Sequence, residues 1–196
     1  MDSTKEPPIL ILRGEKVGIG PLTRDLIELG FRWINDLSVT RTLGVFAQSV
    51  MTREDEETWY QSNVGRKDIA AFAVYELATM RPIGTTDLRA IDHQQGTALF
   101  GILIGEKDCW GKGYGTEATR LTLDYGFSVL GLHNVLLTVY AFNRRGIRAY
   151  EKAGFRMIGH RREARRLAGR RYDEIMMDAL ASDFVSPVAL ALITPG

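Results

Sequence analysis

Three glycines alternate at positions 111, 113 and 115, between a strand-like run and a long apolar helical run. Thr97 to Ile104 reads as a strand, bounded by Gln94-Gln95-Gly96 before it and Gly105 after it. Beyond the glycines, Ala118, Leu121, Thr122, Tyr125 and Val129 recur at helical spacing. Leu123, Phe127 and Leu130 widen the stripe, so the helix is buried over much of its circumference, and Gly131 ends it. Glycine admits positive φ and a close backbone approach to a ligand. A helix start offers unpaired N–H groups and the positive end of the helix dipole. Together these make a seat for a phosphate or pyrophosphate. A plain strand-to-helix turn is the bland alternative.

The spacing restricts which phosphate ligand fits. A Walker A loop needs Gly, four residues, then Gly-Lys-Ser/Thr. Here five residues separate Gly105 from Gly111, and Lys112 is followed by Gly113. Gly113-Tyr-Gly115-Thr-Glu-Ala118 fits the looser dinucleotide pattern. That fold wants an acid about 20 residues on, at the end of the next strand. The next strand ends Tyr140-Ala-Phe-Asn143, with no acid.

Around this loop the periods alternate. Ile9 to Arg13 and Val17 to Leu22 read as strands, and Thr23 and Asp25 open a helical pattern through Trp33. Thr52-Arg-Glu-Asp55 approximates a capping box. Ala71 to Leu77, Pro82 to Leu88 and Thr97 to Ile104 form an expected antiparallel meander. Val135 to Tyr140 is a strand, Arg144 to Ala153 a short helix closed by Gly154, and Phe155 to Gly159 with Tyr172 to Leu180 a last hairpin around an arginine-rich turn. The fold class is α/β (α+β) around one sheet. Residues 1–8 are expected to be a flexible N-terminus, 9–184 a single domain and 185–196 an apolar tail.

Composition excludes several classes. Twenty-five Lys+Arg against 24 Asp+Glu give a formal net charge of +1, unlike a dedicated nucleic-acid binder. The lone cysteine, Cys109, excludes an internal disulfide, and His93, His133 and His160 share no ligand spacing, so no metal site is expected. No run reaches the roughly 20 apolar residues of a spanning helix. A cytoplasmic protein without a membrane partner is the expectation. No G-x-S-x-G elbow supports a serine hydrolase.

Trp110-Gly-Lys-Gly-Tyr-Gly115 resembles the acyl-CoA pyrophosphate loop of the GCN5-related N-acetyltransferase (GNAT) superfamily, with Trp110 where a Gln or Arg usually stands. Asn143 through Tyr150-Glu-Lys-Ala-Gly154-Phe155 resembles its second signature. Arg32-Trp33-Ile-Asn35-Asp36 and Thr52…Trp59 resemble the branch of the ribosomal-protein alanine acetyltransferases. The resemblance covers about Leu10 to Leu180. It implies a mixed, mostly antiparallel sheet of six to seven strands flanked by about four helices. It also implies acetyl transfer from acetyl-CoA to a primary amine of a small molecule or a protein N-terminus. A homodimer is a further expectation, and an acyl-CoA-binding sensor without turnover is the alternative function.

The resemblance assigns residues as well. Gly111, Lys112, Gly113, Tyr114, Gly115 and Thr116, flanked by Trp110, would hold the pyrophosphate. Ile102, Leu103 and Ile104 would pair with the pantetheine arm as an added strand does. A backbone N–H near Leu103 would face the thioester oxygen. Asn143 would bond the pantetheine or hold the strands apart, an ordinary N-cap being its bland reading. Tyr150 takes the general-acid position. No acid lies on Ala98 to Ile104, and Gly101 stands where some relatives carry one. Asp87 is therefore the first candidate base, ahead of Asp92 and His93, with a water relay as the competing reading. Glu117 reads as a helix-dipole partner, and Cys109 as a small loop residue rather than a nucleophile. If Arg161 to Arg171 line the acceptor mouth, a polyamine is disfavoured.

Overall fold

Val17 and Ile19 of strand β2 (Val17–Pro21) and Phe72 and Val74 of β3 (Ile69–Glu76) are almost wholly buried, as alternation on a covered sheet requires. The computed structural model describes residues 7–43 and 50–195, so most of the N-terminal segment expected to be flexible lies outside the described residues. The remaining strands are β1 (Leu12–Arg13), β4 (Arg81–Asp92), β5 (Thr97–Ile104), β6 (Asn134–Tyr140), β7 (Arg156–Leu167) and β8 (Arg170–Leu180). The helices are α1 (Leu26–Ile34), α2 (Leu37–Thr40), α3 (Arg53–Asn63), α4 (Tyr114–Asp124), α5 (Arg144–Ala153) and α6 (Ala189–Ile193). One sheet runs β1-β2-β3-β4-β5-β6-β8-β7.

The sheet is antiparallel except between β5 and β6, which pair in parallel from Thr97–Asn134 to Leu99–Leu136. Beyond Leu99 the described ladder between them stops. The sheet therefore opens into a splay between the second half of β5 and the second half of β6. Helices α4 and α5 cover one face: Thr122 and Leu123 of α4 and Ile147 of α5 meet Thr86, Leu88 and Phe100. On the other face, Leu22 and Leu26 pack on Ala73 and Tyr75, with Tyr60 of α3 beside them. Over β5 this cover thins: Trp33 of α1 reaches Gly105 at its end, while Leu99 is partly exposed.

Local sequence explains the element ends. Thr52 accepts from Asp55 N–H, and the Asp55 side chain accepts from Thr52 N–H, which completes the capping box that starts α3. Gly154, at φ +115°, closes α5 in a conformation that glycine adopts freely. Helix α4 runs on into one π-type turn, Tyr125–Val129. The carboxylate of the buried Asp124 accepts from the backbone N–H of Val188 (2.9 Å) and Ala189 (2.7 Å), so the C-terminal segment is tied to α4.

Eight strands and six helices are described, against an expectation of six to seven and about four. Strand β1 is two residues long, and α2 and α6 are one turn each, too short for a periodic signal. The last hairpin is also longer than its apolar residues indicate. Its turn is Ala168-Gly169, both at positive φ, and the arginine-rich stretch on either side is paired strand with two irregularities. Arginines on both faces hide the period of two, and the backbone ladder alone carries the pairing.

Candidate active site

The splay sets which backbone groups are open. Gly105 N–H donates to the Ile83 carbonyl at 2.9 Å. Antiparallel pairs alternate between hydrogen-bonded and open. Leu103 therefore turns its N–H and C=O towards Thr85 of β4, its register partner. Ile102 and Ile104 turn theirs towards the splay. The open N–H groups beside Leu103 are therefore those of Ile102 and Ile104. Ile104 C=O already accepts from Trp110 Nε1 at 2.8 Å.

A cavity of about 310 Å³ runs from this splay to the start of α4. Ile102, Leu103 and Ile104 line it from β5, and Trp110, Gly111, Gly113, Tyr114, Gly115 and Thr116 from the glycine loop. Gly111 (φ +78°) and Gly113 (φ +89°) are left-handed, and Gly113 is the N-cap of α4. No side chain caps that helix start. Its first N–H groups are available to an anion, with the dipole behind them. Lys112 is not among the lining residues; its carbonyl accepts from Lys16 Nζ at 3.4 Å.

Polar contacts fix the loop from three sides. Trp33 of α1 is buried against Gly105 and donates from Nε1 to Glu106 (2.9 Å), which Arg32 also pairs at 2.6 Å. Lys107 pairs with Asp36, holding its carboxyl well below the usual range, and Asp36 caps α2 through Ser38 N–H at 2.8 Å. Beneath the loop, Arg81 pairs with Glu76 (3.0 Å) and with Asp108, and Tyr114 donates to Glu76 at 2.9 Å. Glu117, read above as a dipole partner, reaches away from the cavity instead. Its carboxylate accepts from the backbone N–H of Glu15, Lys16 (3.0 Å) and Val17 (3.2 Å), clasping the β1–β2 turn.

A further wall is basic. Arg145, Arg148, Ala149 and Lys152 line the cavity from α5. Their i, i+3, i+4, i+7 spacing was legible, but it was masked by the other arginines. Arg145 stacks over the Trp110 ring at 4.0 Å. Burial first, and then the charge of Arg41, lower its pKa. Crowded, part-buried cations of this kind are relieved by a bound anion. The arginines of the last hairpin play no such part: Arg161 pairs with Glu174 at 3.4 Å, Arg165 lies over the Tyr140 ring at 4.9 Å, and neither lines the cavity.

Of the remaining expected residues, Asn143 and Tyr150 both line the cavity. Asn143 Oδ1 caps α5 by accepting from Gly146 N–H at 3.0 Å, which leaves Nδ2 as the group able to donate to a ligand carbonyl. The Tyr150 ring packs edge-on against Phe100 (6.1 Å) and near Phe155 (6.1 Å), and burial pushes its hydroxyl up to about 12. Cys109 is buried, and burial first, then Asp108, raises its thiol pKa, which disfavours the thiolate a nucleophile needs. Asp87 lies outside the cavity lining, on the opposite face of the sheet beside the splay, opposite Gly101.

The chain has counterparts among known proteins. The spermidine N(1)-acetyltransferase of Vibrio cholerae is 29% identical over 168 residues, 84% of this chain and 96% of that protein. The uncharacterized N-acetyltransferase p20 of Bacillus licheniformis is 30% identical over 113 residues, 58% of this chain and 63% of that protein. The crystal structure of the V. cholerae spermidine N-acetyltransferase in complex with CoA and spermine superposes with a TM-score of 0.77 at 26% identity, covering 86% of this chain and 97% of that one. Two of these three are named for spermidine, not for the ribosomal-protein branch suggested by the N-terminal motifs. The acetyltransferase (GNAT) domain model matches residues 16–156, a span that takes in both the splay and the glycine loop, and the chain accordingly belongs to the GNAT acetyltransferase family.

Proposed function

We propose that the chain transfers acetyl from acetyl-CoA to the primary amine of a small molecule, polyamines being the class to test first. The supporting observation is the splay, with the open amide of Ile102 at one end and the uncapped N-terminus of α4 at the other. Relatives named for spermidine point to the acceptor. The hairpin arginines do not line the cavity assigned to acetyl-CoA, and the amine panel below tests whether they oppose a polyamine at the acceptor face.

Bound acetyl-CoA supplies a thioester acetyl and a thiolate leaving group. The α4 N-terminus and the α5 cations hold its phosphates, and the Ile102 N–H faces oxygen charge as it develops. An aliphatic ammonium must lose a proton before its nitrogen can attack. Asp87 accepts that proton from the face opposite α4. The nitrogen–carbon bond forms as the carbon–sulphur bond breaks, and Tyr150 gives its proton to sulphur. The acylated nitrogen releases its second proton to solvent, Tyr150 is reprotonated from solvent and Asp87 gives its proton to solvent, so an ammonium and a thioester become an amide, a free thiol and one released proton.

Thiol release measured across spermidine, spermine, amino sugars, amino acids and N-terminal peptides tests the acceptor. Spermidine or spermine is expected to give the highest kcat/KM, and preference for a peptide would overturn the small-molecule reading. Failure of every amine in the panel to release thiol would point to a sensor. Tyr150→Phe is expected to lower kcat roughly tenfold, since a thiol of pKa near 8.5 leaves without much help. Its Kd for acetyl-CoA should hold, and unchanged kcat would remove Tyr150 from the chemistry.

A further inference from the structure

Gly101 is the β5 residue two positions beyond the last β5–β6 pair, so it lies at the start of the splay. Its register partner on β4 is Asp87. A Cβ at Gly101 would stand 2.3 Å from an Arg89 Nη1 and 2.8 Å from an Asp87 carboxylate oxygen. The two side chains therefore occupy the volume that any other residue at 101 would fill. They are joined by an Arg89 Nη1 to Asp87 Oδ1 bond of 2.6 Å. The Asp87 side chain is 24% exposed and that of Arg89 49%.

We propose that Arg89 is a positioning residue for acetyl transfer: its guanidinium holds the Asp87 carboxylate across the bare backbone of Gly101, at the splay. The proposal rests on Asp87 being the base. Geometry gives the reason for the glycine: a side chain at 101 would push the carboxylate off the strand. Charge gives the reason for the arginine. Burial pushes the Asp87 carboxyl up, and the Arg89 charge and hydrogen bond oppose it. The other side chains on this face of the flanking strands are Ile69, Ala71 and Ala73 of β3 and Leu99 and Leu103 of β5, with Thr85 beside Asp87 on β4. None of them ionises. Over β3 come Leu26 of α1 and Tyr60 of α3, and across the splay Leu136, Thr138 and Tyr140 of β6 precede Asp178 and Glu174 of β8, so the charged group that meets Asp87 is Arg89.

The sign follows. Removing Arg89 leaves burial unopposed, so the carboxyl holds its proton to higher pH and the base is lost first at low pH. In the intact protein with acetyl-CoA and its best amine, Arg89→Met is expected to lower kcat/KM about tenfold at pH 6 while recovering most of it at pH 9. Arg89→Lys should restore much of the loss at pH 6. Gly101→Ala should reproduce the low-pH defect with Arg89 still present, because its Cβ displaces the pair. Asp87→Asn separates the two layers. If it leaves kcat intact, Asp87 is not the base and both readings fall. If it abolishes turnover while Arg89→Met shows an unchanged pH profile, the base stands and the role of Arg89 is overturned. A pH-independent loss in Arg89→Met that lysine does not rescue would likewise overturn it.

Discussion

Gly105→Ala is expected to lower the Tm by about 6–12 °C. The new Cβ would stand 2.2 Å from Cγ and Cδ2 of Trp33, and neither side can yield easily. Trp33 is 3% exposed, and its Nε1 is tied to Glu106, which Arg32 also holds. Gly105 is tied by its N–H to the Ile83 carbonyl. Overpacking of this kind costs typically about 1–3 kcal/mol, and a ring pinned against backbone belongs at the upper end. In a domain of this size each kcal/mol moves the Tm by about 2–4 °C. A thermal melt reads the effect directly. Trp33→Ala alone should cost about 3–5 kcal/mol through the cavity it leaves. The double variant should lose less than the sum by about 1 kcal/mol or more, because the clash disappears with the ring. Strict additivity would mean that Trp33 and Gly105 do not meet in solution. The KM for acetyl-CoA should rise in Gly105→Ala as well, since this turn leads from β5 into the glycine loop.

That contact shows why the sequence is legible in some places and silent in others. Alternating glycines before an apolar stripe carry a local signal, because the backbone conformation they permit is a property of the residues themselves. The loop is accordingly found where the sequence puts it, with Gly111 and Gly113 at positive φ. Asn143 at the N-cap of α5 and Tyr150 within it likewise sit seven residues apart and line one cavity. The Gly105–Trp33 contact joins residues 72 positions apart in sequence, and neither residue type announces the other. Glu117 is a similar case. Its place in the first turn of α4 suggests a dipole role, yet its carboxylate serves the β1–β2 turn about 100 positions away. The α5 cations were hidden for another reason. In a chain with 25 Lys+Arg, one basic stripe is hard to tell from solvated charge until the cavity it faces is known. Which amides near Leu103 face the splay is likewise decided by strand alternation, because a register is set by pairing and not by composition.

Gly113→Val is expected to raise the KM for acetyl-CoA by about 10–100-fold with a far smaller change in kcat at saturation. Gly113 holds φ at +89° as the N-cap of α4. A β-branched residue at positive φ is a strong outlier, and the left-handed region costs about 1–2 kcal/mol for a side-chain-bearing residue. Space alone would tolerate the side chain, since the nearest atom to a Cβ there is Lys16 Nζ at 3.8 Å. The strain is therefore relieved by turning the peptide, and the N–H groups at the start of α4 then no longer converge. Losing one charge-assisted hydrogen bond of about 1.5–3 kcal/mol accounts for an affinity change of this size. S-acetyl-pantetheine, which has the thioester but no pyrophosphate, provides the control. Its KM should be similar in Gly113→Val and in the parent protein, because it has nothing to place against α4. An equal rise for both donors would show that the loop had collapsed onto the splay, and that the convergent N–H groups are not what binds the phosphates.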